Sequence, residues 1–125
     1  MNGPVPVMRP ALGLTLLALL AVPAATHAAK DPAPKTGKYG CSESVFSVDG
    51  YRIEPRGFVT LYTGGTYRQG TGKKGTYSFS GGTTRFKGGG LDRSTARAID
   101  GKSTRFQITV RFSGGKTAKW ACSHV

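Results

Sequence analysis

Acidic residues are scarce in this chain. Six Asp+Glu stand against 18 Lys+Arg in 125 residues, for a formal net charge of +12. The acids are Asp31, Glu43, Asp49, Glu54, Asp92 and Asp100. Glycoside hydrolysis needs two carboxylates facing one cleft. Asp31 falls in a Pro- and Lys-rich stretch, and Asp49 and Asp100 each precede a glycine, a turn role. Glu43 and Glu54 can face each other across a hairpin at Asp49-Gly50, yet Glu43, Asp49 and Glu54 lack the spacing of a calcium loop. Cysteine is equally scarce: two residues, Cys41 and Cys122, are too few for a disulfide-dense scaffold or a four-ligand zinc site. Of the two histidines, His27 lies in the N-terminal segment and His124 is penultimate, where chains fray. A nucleophile–imidazole pair needs a rigidly held ring. No enzyme signature, metal site or cofactor site is therefore expected, and the reading is of a non-catalytic protein.

Leucine is missing from most of the chain. Six of the eight leucines fall before residue 21, leaving Leu61 and Leu91, and the only Asn and both Met residues also lie at the N-terminus. Arg9, the apolar run Ala11–Val22 and the small residues around Thr26, His27 and Ala28 have the order of a signal peptide. The run is shorter than the ~20 residues a bilayer span requires and is followed by Pro23. Cleavage is expected after Ala28, giving a secreted or periplasmic chain of 97 residues with a net charge of +11 and no membrane span. In an oxidising compartment Cys41 and Cys122 can pair, closing a long loop near both ends of the domain.

What remains is rich in Gly, Thr, Tyr and Phe, the composition of a β domain. Residues 29–38 read as a flexible leader and 39–125 as one β domain. Three turns share a design: Thr63-Gly64-Gly65-Thr66, Ser80-Gly81-Gly82-Thr83 and Ser113-Gly114-Gly115-Lys116. Paired glycines suit tight hairpin turns that need positive φ at both centres. Asp49-Gly50 adds a fourth hairpin, and Pro55-Arg56-Gly57 reads as an ordinary turn. In Arg105–Phe112, Phe106, Ile108, Val110 and Phe112 alternate with Arg105, Gln107, Thr109 and Arg111, a half-buried strand. Shorter strands are expected at 58–62, 75–79, 84–87 and 117–122. Tyr39 and Cys41 should share a face, as should Ala118, Trp120 and Cys122, so a Cys41–Cys122 bond would tie the first strand to the last. The expected fold is all-β: a single small antiparallel β-barrel or β-sandwich built from hairpins and closed by one disulfide. Gly65-Thr66-Tyr67-Arg68 echoes Gly75-Thr76-Tyr77-Ser78, read as recurring hairpin pattern. Gly88-Gly89-Gly90 reads as a wide turn without the Lys-Ser/Thr ending of a phosphate loop, and 91–101 as loop, short strand or helical turn.

The charge is the main functional signal. Arg85 and Lys87 share a strand face, Arg105 and Arg111 share the outward face of the clearest strand, Lys119 alternates with Trp120, and Lys73-Lys74 sit between Gly-rich segments. If contiguous, these seven cations form a surface for an anionic polymer or an acidic protein, with salt-dependent binding. With the aromatics expected mainly inside, base stacking and specific nucleic-acid readout are not expected. The chain reads as a monomer. The alternative is a small-ligand or enzyme-inhibitor β-barrel working through a cavity or loop edge.

The run GKYGCSES…GFVTLYTGGTYRQ…KKGTYSFSGGTTRFKGGGLD…TRFQITVRF…KWACS resembles a group of small, uncharacterised secreted bacterial β proteins, with a Gly-x-Tyr-x-Cys start, a Gly-Thr-Tyr strand, a Phe-x-Gly-Gly segment and a late Cys. That resemblance implies a compact exported β fold and no particular activity. The Tyr-x-Cys start, the central Gly-x-Tyr hairpin and the terminal Cys are also similar to periplasmic inhibitors of c-type lysozyme, which are small β-barrels. Their Ser-Gly-x-x-Tyr loop would correspond to Lys73-Lys74-Gly75-Thr76-Tyr77, where the serine is absent. A basic chain would also be repelled by a basic lysozyme.

Overall fold

Residues 31–125 are described by a computed structural model, in which Asp31–Val125 forms its own compact unit. The expected signal peptide, residues 1–28, lies outside the described residues. Eight strands follow one another: β1 (Gly37–Ser47), β2 (Gly50–Tyr62), β3 (Thr66–Gln69), β4 (Lys74–Ser80), β5 (Thr83–Lys87), β6 (Thr95–Ala98), β7 (Arg105–Arg111) and β8 (Thr117–His124). Each pairs antiparallel with its sequence neighbours, and β1 pairs with β8 to close the barrel. Of the β-barrel or β-sandwich expected from the hairpin pattern, the described residues form the barrel.

Turn chemistry drives this order. Gly81 (φ 60°) and Gly82 (φ 80°) both occupy the left-handed region between β4 and β5, as a two-residue type I′ hairpin requires. The other Gly-Gly pairs and Val48-Asp49 sit at the remaining expected hairpins. Along β7 the alternation places Phe106, Ile108 and Val110 inside, joined by Tyr39, Cys41, Val59, Leu61, Tyr67, Phe86, Leu91, Ala96, Trp120 and Cys122. Phe112 departs from the expected face and is 43% exposed. Its N–H donates to Lys116 O (2.8 Å), so the chain is already turning past the end of the barrel.

Closure rests on a short seam: Tyr39↔His124, Gly40↔Ser123, Cys41↔Cys122 and Ser42↔Ala121. The disulfide Cys41–Cys122 lies within it. His124 is ordered here as the last residue of β8. Its ring meets Tyr39 edge-on at 5.1 Å, and its Nε2 lies 3.1 Å from Thr36 O.

Several local expectations are corrected. Pro55-Arg56-Gly57 is not a turn but part of β2, because the β1–β2 ladder runs through it with a register shift between Cys41 and Ser42. Cys41 faces Gly57 and Ser42 faces Pro55, so Arg56 is the extra residue of a β-bulge. Proline is tolerated there because β2 meets β3 only from Val59 onward, which leaves the Pro55 edge free. Thr66–Gln69, read as hairpin pattern, is a strand in its own right. The stretch 91–101 contains β6. Before it, Gly88–Leu91 turns through a single 3₁₀ turn (Gly89–Leu91) whose Leu91 is fully buried. Tyr67 fastens that turn: its hydroxyl donates to Gly88 O and accepts from Leu91 N (2.7 Å).

The described part of the leader is also held. Gly37 and Lys38 begin β1. Lys35 N–H donates to Ser103 O at 2.8 Å, and the Tyr39 hydroxyl donates to Lys35 O at 2.6 Å. Asp31 meets Arg97 at 3.3 Å. Residues 31–36 therefore lie on the barrel, because Tyr39, fully buried by the core, needs a partner for its hydroxyl.

A candidate anion-binding track

Strand register decides which cations meet. Arg85 faces Thr95 across β5–β6, Thr95 faces Thr109 across β6–β7, and Thr109 faces Lys119 across β7–β8. These four form one row on the outer wall, and at ~4.8 Å per strand the Arg85 and Lys119 backbones stand about 14 Å apart. Lys87 and Arg111 lie two residues to one side of that row, each exposed. Arg97, opposite Gln107, lies two residues to the other.

Two open grooves mark this wall. The larger, of ≈ 920 Å³, is lined by Arg85, Lys87, Asp92 and Arg93, by Thr76, Ser78 and Thr95, and by the aromatic residues Tyr77 and Phe86. A second groove, of ≈ 360 Å³, is lined by Thr83, Thr95, Arg97, Gln107, Thr109 and Lys119. Thr95 belongs to both, so the two grooves adjoin across β4–β8 and are lined together by five cations, Arg85, Lys87, Arg93, Arg97 and Lys119. Guanidinium, ammonium, hydroxyl and amide donors along such a track suit phosphate, sulfate or carboxylate oxygens.

One carboxylate, Asp92, lines the larger groove itself. Asp92 accepts from Gly88 N–H (2.7 Å) and lies 3.9 Å from Arg93, and Asp31 reaches Arg97 at 3.3 Å. Among the described residues, Arg85, Lys87, Arg111 and Lys119 have no carboxylate within ion-pair distance. Arg85 makes one long contact, to Ser80 Oγ at 3.4 Å. Four expected cations are thus near one another with free donors.

The other three expected cations stand elsewhere. Arg105 is at the opposite end of β7, 3.7 Å from Asp100. Lys73 is in the turn before β4, and Lys74 faces Arg68 across β3–β4, its ammonium 5.0 Å above the Tyr62 ring. The stretch Lys73-Lys74-Gly75-Thr76-Tyr77 enters β4, with Gly75 buried and Tyr77 donating from its hydroxyl to Tyr62 O (3.1 Å). Arg93 and Arg97 were missed by sequence reasoning. The alternation Thr95-Ala96-Arg97-Ala98 carries the signal for Arg97, but a four-residue strand has too few repeats to stand out.

The acid pair read from the sequence is real but differently employed. Glu43 and Glu54 are direct cross-strand partners, and Arg56 bridges them at 2.8 and 3.0 Å. The hydrogen bond from Arg52, aided by the charge of Arg56, holds the Glu54 carboxyl below the ordinary carboxylate range. Both acids are ion-paired through Arg56 on an open strand face. Among the described residues no group of three His, Cys, Asp or Glu could hold a metal ion. No protein-family model, curated protein or solved structure shows a significant match to the chain.

Proposed function

We propose that this chain is an exported, non-catalytic binding barrel that engages an acidic protein or an anionic polymer of the cell envelope through the β4–β8 wall. The observation that carries the reading is the pair of adjoining grooves that share Thr95, lined by Arg85, Lys87 and Lys119 with Arg111 two residues along β7 from Thr109, none of the four ion-paired among the described residues. Export is supported by the N-terminal signal pattern and by a disulfide between the first and last strands. A small-ligand barrel would instead need internal space. Tyr39, Leu61, Tyr67, Leu91 and Ile108 project into that interior and are fully buried, which favours the outer wall over an internal site.

Binding of this kind is electrostatic and falls with salt. On heparin, the Asp31–Val125 unit should be retained at about 0.15 M salt and released by about 0.5 M. Replacing Arg85, Lys87, Arg111 and Lys119 by Gln should abolish retention. On duplex DNA as a generic polyanion, the same variant should reduce the log–log salt slope by about 0.9 per lost contact. Lys73→Gln and Arg105→Gln, off the track, should change little. No retention at about 50 mM salt, or equal retention of the fourfold variant, would defeat the proposal.

A further inference from the structure

Between β5 and β6 an arginine stands where the backbone calls for glycine. Asp92 has φ −52° and ψ 132°, and Arg93 follows with φ 67°. Ser94 N–H donates to Leu91 O at 2.9 Å, so residues 91–94 form a type II turn with Arg93 at the position that requires positive φ. The adjoining ladder makes the same demand. Arg85 faces Thr95, which sets Phe86 opposite Ser94. Phe86 N–H donates to Ser94 O, and Arg93 N–H donates to Phe86 O, both at 3.0 Å. Arg93 is therefore the extra residue of a β-bulge whose first position is ordinarily a left-handed glycine.

Elsewhere the chain meets this demand with small residues. Thirteen glycines and Asp100 hold its other positive-φ positions among the described residues. Asp100 has a short polar side chain, which tolerates the left-handed region. Arg93 is the one long side chain kept there, where its Cβ crowds the following carbonyl. The surroundings impose the conformation: the Tyr67 hydroxyl accepts from Leu91 N–H on one side, and on the other Ser94, 1% exposed, accepts at Oγ from Arg111 N–H (3.0 Å).

The fold itself draws nothing from the arginine side chain. It is 67% exposed, and its single ion-pair contact among the described residues, to the adjacent Asp92, is 3.9 Å long, too far for a hydrogen bond. Strain of this kind collects at binding sites, and Arg93 lines the ≈ 920 Å³ groove together with Arg85 and Lys87. Arg85 and Lys87 stand about 7 Å apart along β5, and Arg93 enters from the β6 side. Thr76 and Ser78 on β4 and Thr95 on β6 add hydroxyls. Three cations against the one carboxylate, Asp92, leave the lining with a formal charge of +2. A carboxylate presents two oxygens in one plane, and one guanidinium satisfies both. A phosphoryl or sulfuryl group presents oxygens in several directions and takes donors from opposite walls at once.

We infer that Arg93 is the anchor of this groove and that it takes a tetrahedral oxyanion, a phosphoryl or sulfuryl group carried by the partner. The inference rests on the anion-binding reading of the β4–β8 wall and narrows it to partners that bear such groups.

The test titrates the oxidised Asp31–Val125 unit, which holds all eight strands and the disulfide, with polyphosphate, dextran sulfate and poly-L-glutamate at about 100 mM salt. One of the first two should bind at least about tenfold more tightly than polyglutamate, and which one tells phosphoryl from sulfuryl. Arg93→Gly should weaken the preferred polymer about tenfold, the worth of one charge-assisted contact, and leave polyglutamate within about twofold. Arg93→Lys keeps the charge without the planar fork and should still lose about threefold. Lys73→Gln, outside the groove, should change neither. Arg93→Gly should also raise Tm by about 2–4 °C, because the strain leaves with the side chain. A fall in Tm would give Arg93 a structural role and overturn the inference. So would an equal loss of affinity for all three polymers, which is the loss of one charge. In either case the fourfold variant would still abolish heparin retention, and the wider reading would stand. Wild type that binds none of the polymers removes that reading and this inference with it.

Discussion

Replacing both Cys41 and Cys122 by alanine tests how the barrel stays closed. The bond spans 81 positions of sequence, and on the chain-entropy account a loop of about 82 residues contributes roughly 4.5 kcal/mol by restricting the unfolded chain. The native seam is short: only four residue pairs join β1 to β8, and the two cysteines are one of them. A domain of this size has a net stability of ~5–14 kcal/mol, so the bond supplies a large share of it. Cys122 is fully buried and Cys41 nearly so, and losing their sulfurs from the core adds to the effect. Urea unfolding followed by far-UV circular dichroism should show a loss of about 4 kcal/mol. At an m-value of about 1.5 kcal/mol/M, the midpoint falls by roughly 3 M. Near-UV dichroism in buffer should stay native where the variant remains folded, because the entropic account places the effect in the unfolded state. A loss under about 1 kcal/mol would refute this reasoning, and would mean that the ladder and the core close the barrel unaided.

Two further outcomes follow from buried tyrosines. Tyr67→Phe strands both Gly88 O and Leu91 N–H and should cost about 2–3 kcal/mol. Tyr77→Phe loses one bond, to Tyr62 O, and should cost about 1 kcal/mol; equal costs in urea melts would contradict the role given to Tyr67. Alkali should also unfold the domain. Burial pushes Tyr39 from 10.0 up to about 12, and burial raises Tyr67 and Tyr77 in the same direction. A raised native pKa means that the unfolded chain releases its protons first. The contribution is therefore intact below about pH 10 and is lost as pH climbs toward 12, on the order of 3 kcal/mol at most for Tyr39. Urea midpoints at rising pH, with tyrosinate absorbance as the reporter, should fall together; midpoints unchanged through about pH 11.5 would contradict the burial argument.

Local chemistry made much of the fold legible in the sequence. The paired glycines at 64–65, 81–82 and 114–115 mark hairpins because positive φ is a property of the residue itself. The alternation in Arg105–Arg111 separates inward Phe106, Ile108 and Val110 from outward Arg111 because strand period is a backbone property. The same parity put Tyr39, Cys41, Trp120 and Cys122 on inner faces. Tertiary structure decided what lies between strands. Arg85 and Lys119 share a row only because three intervening registers align, and register depends on partners far away in the chain. Lys73, Lys74 and Arg105, equal to them by composition, were carried elsewhere by the same registers. The bulge at Arg56, which sits where Pro55 and Gly57 read as a turn, arises from a ladder that passes through. The turn-side ends of β1 and β2 show the limit most plainly. Phe46, Tyr51 and Ile53 follow an ordinary strand pattern in the sequence, and they stand bare, the two aromatics against expectation, because β3 and β8 stop short of them. Alternation assigns a side chain to a face; only the lengths of neighbouring strands decide whether that face is covered.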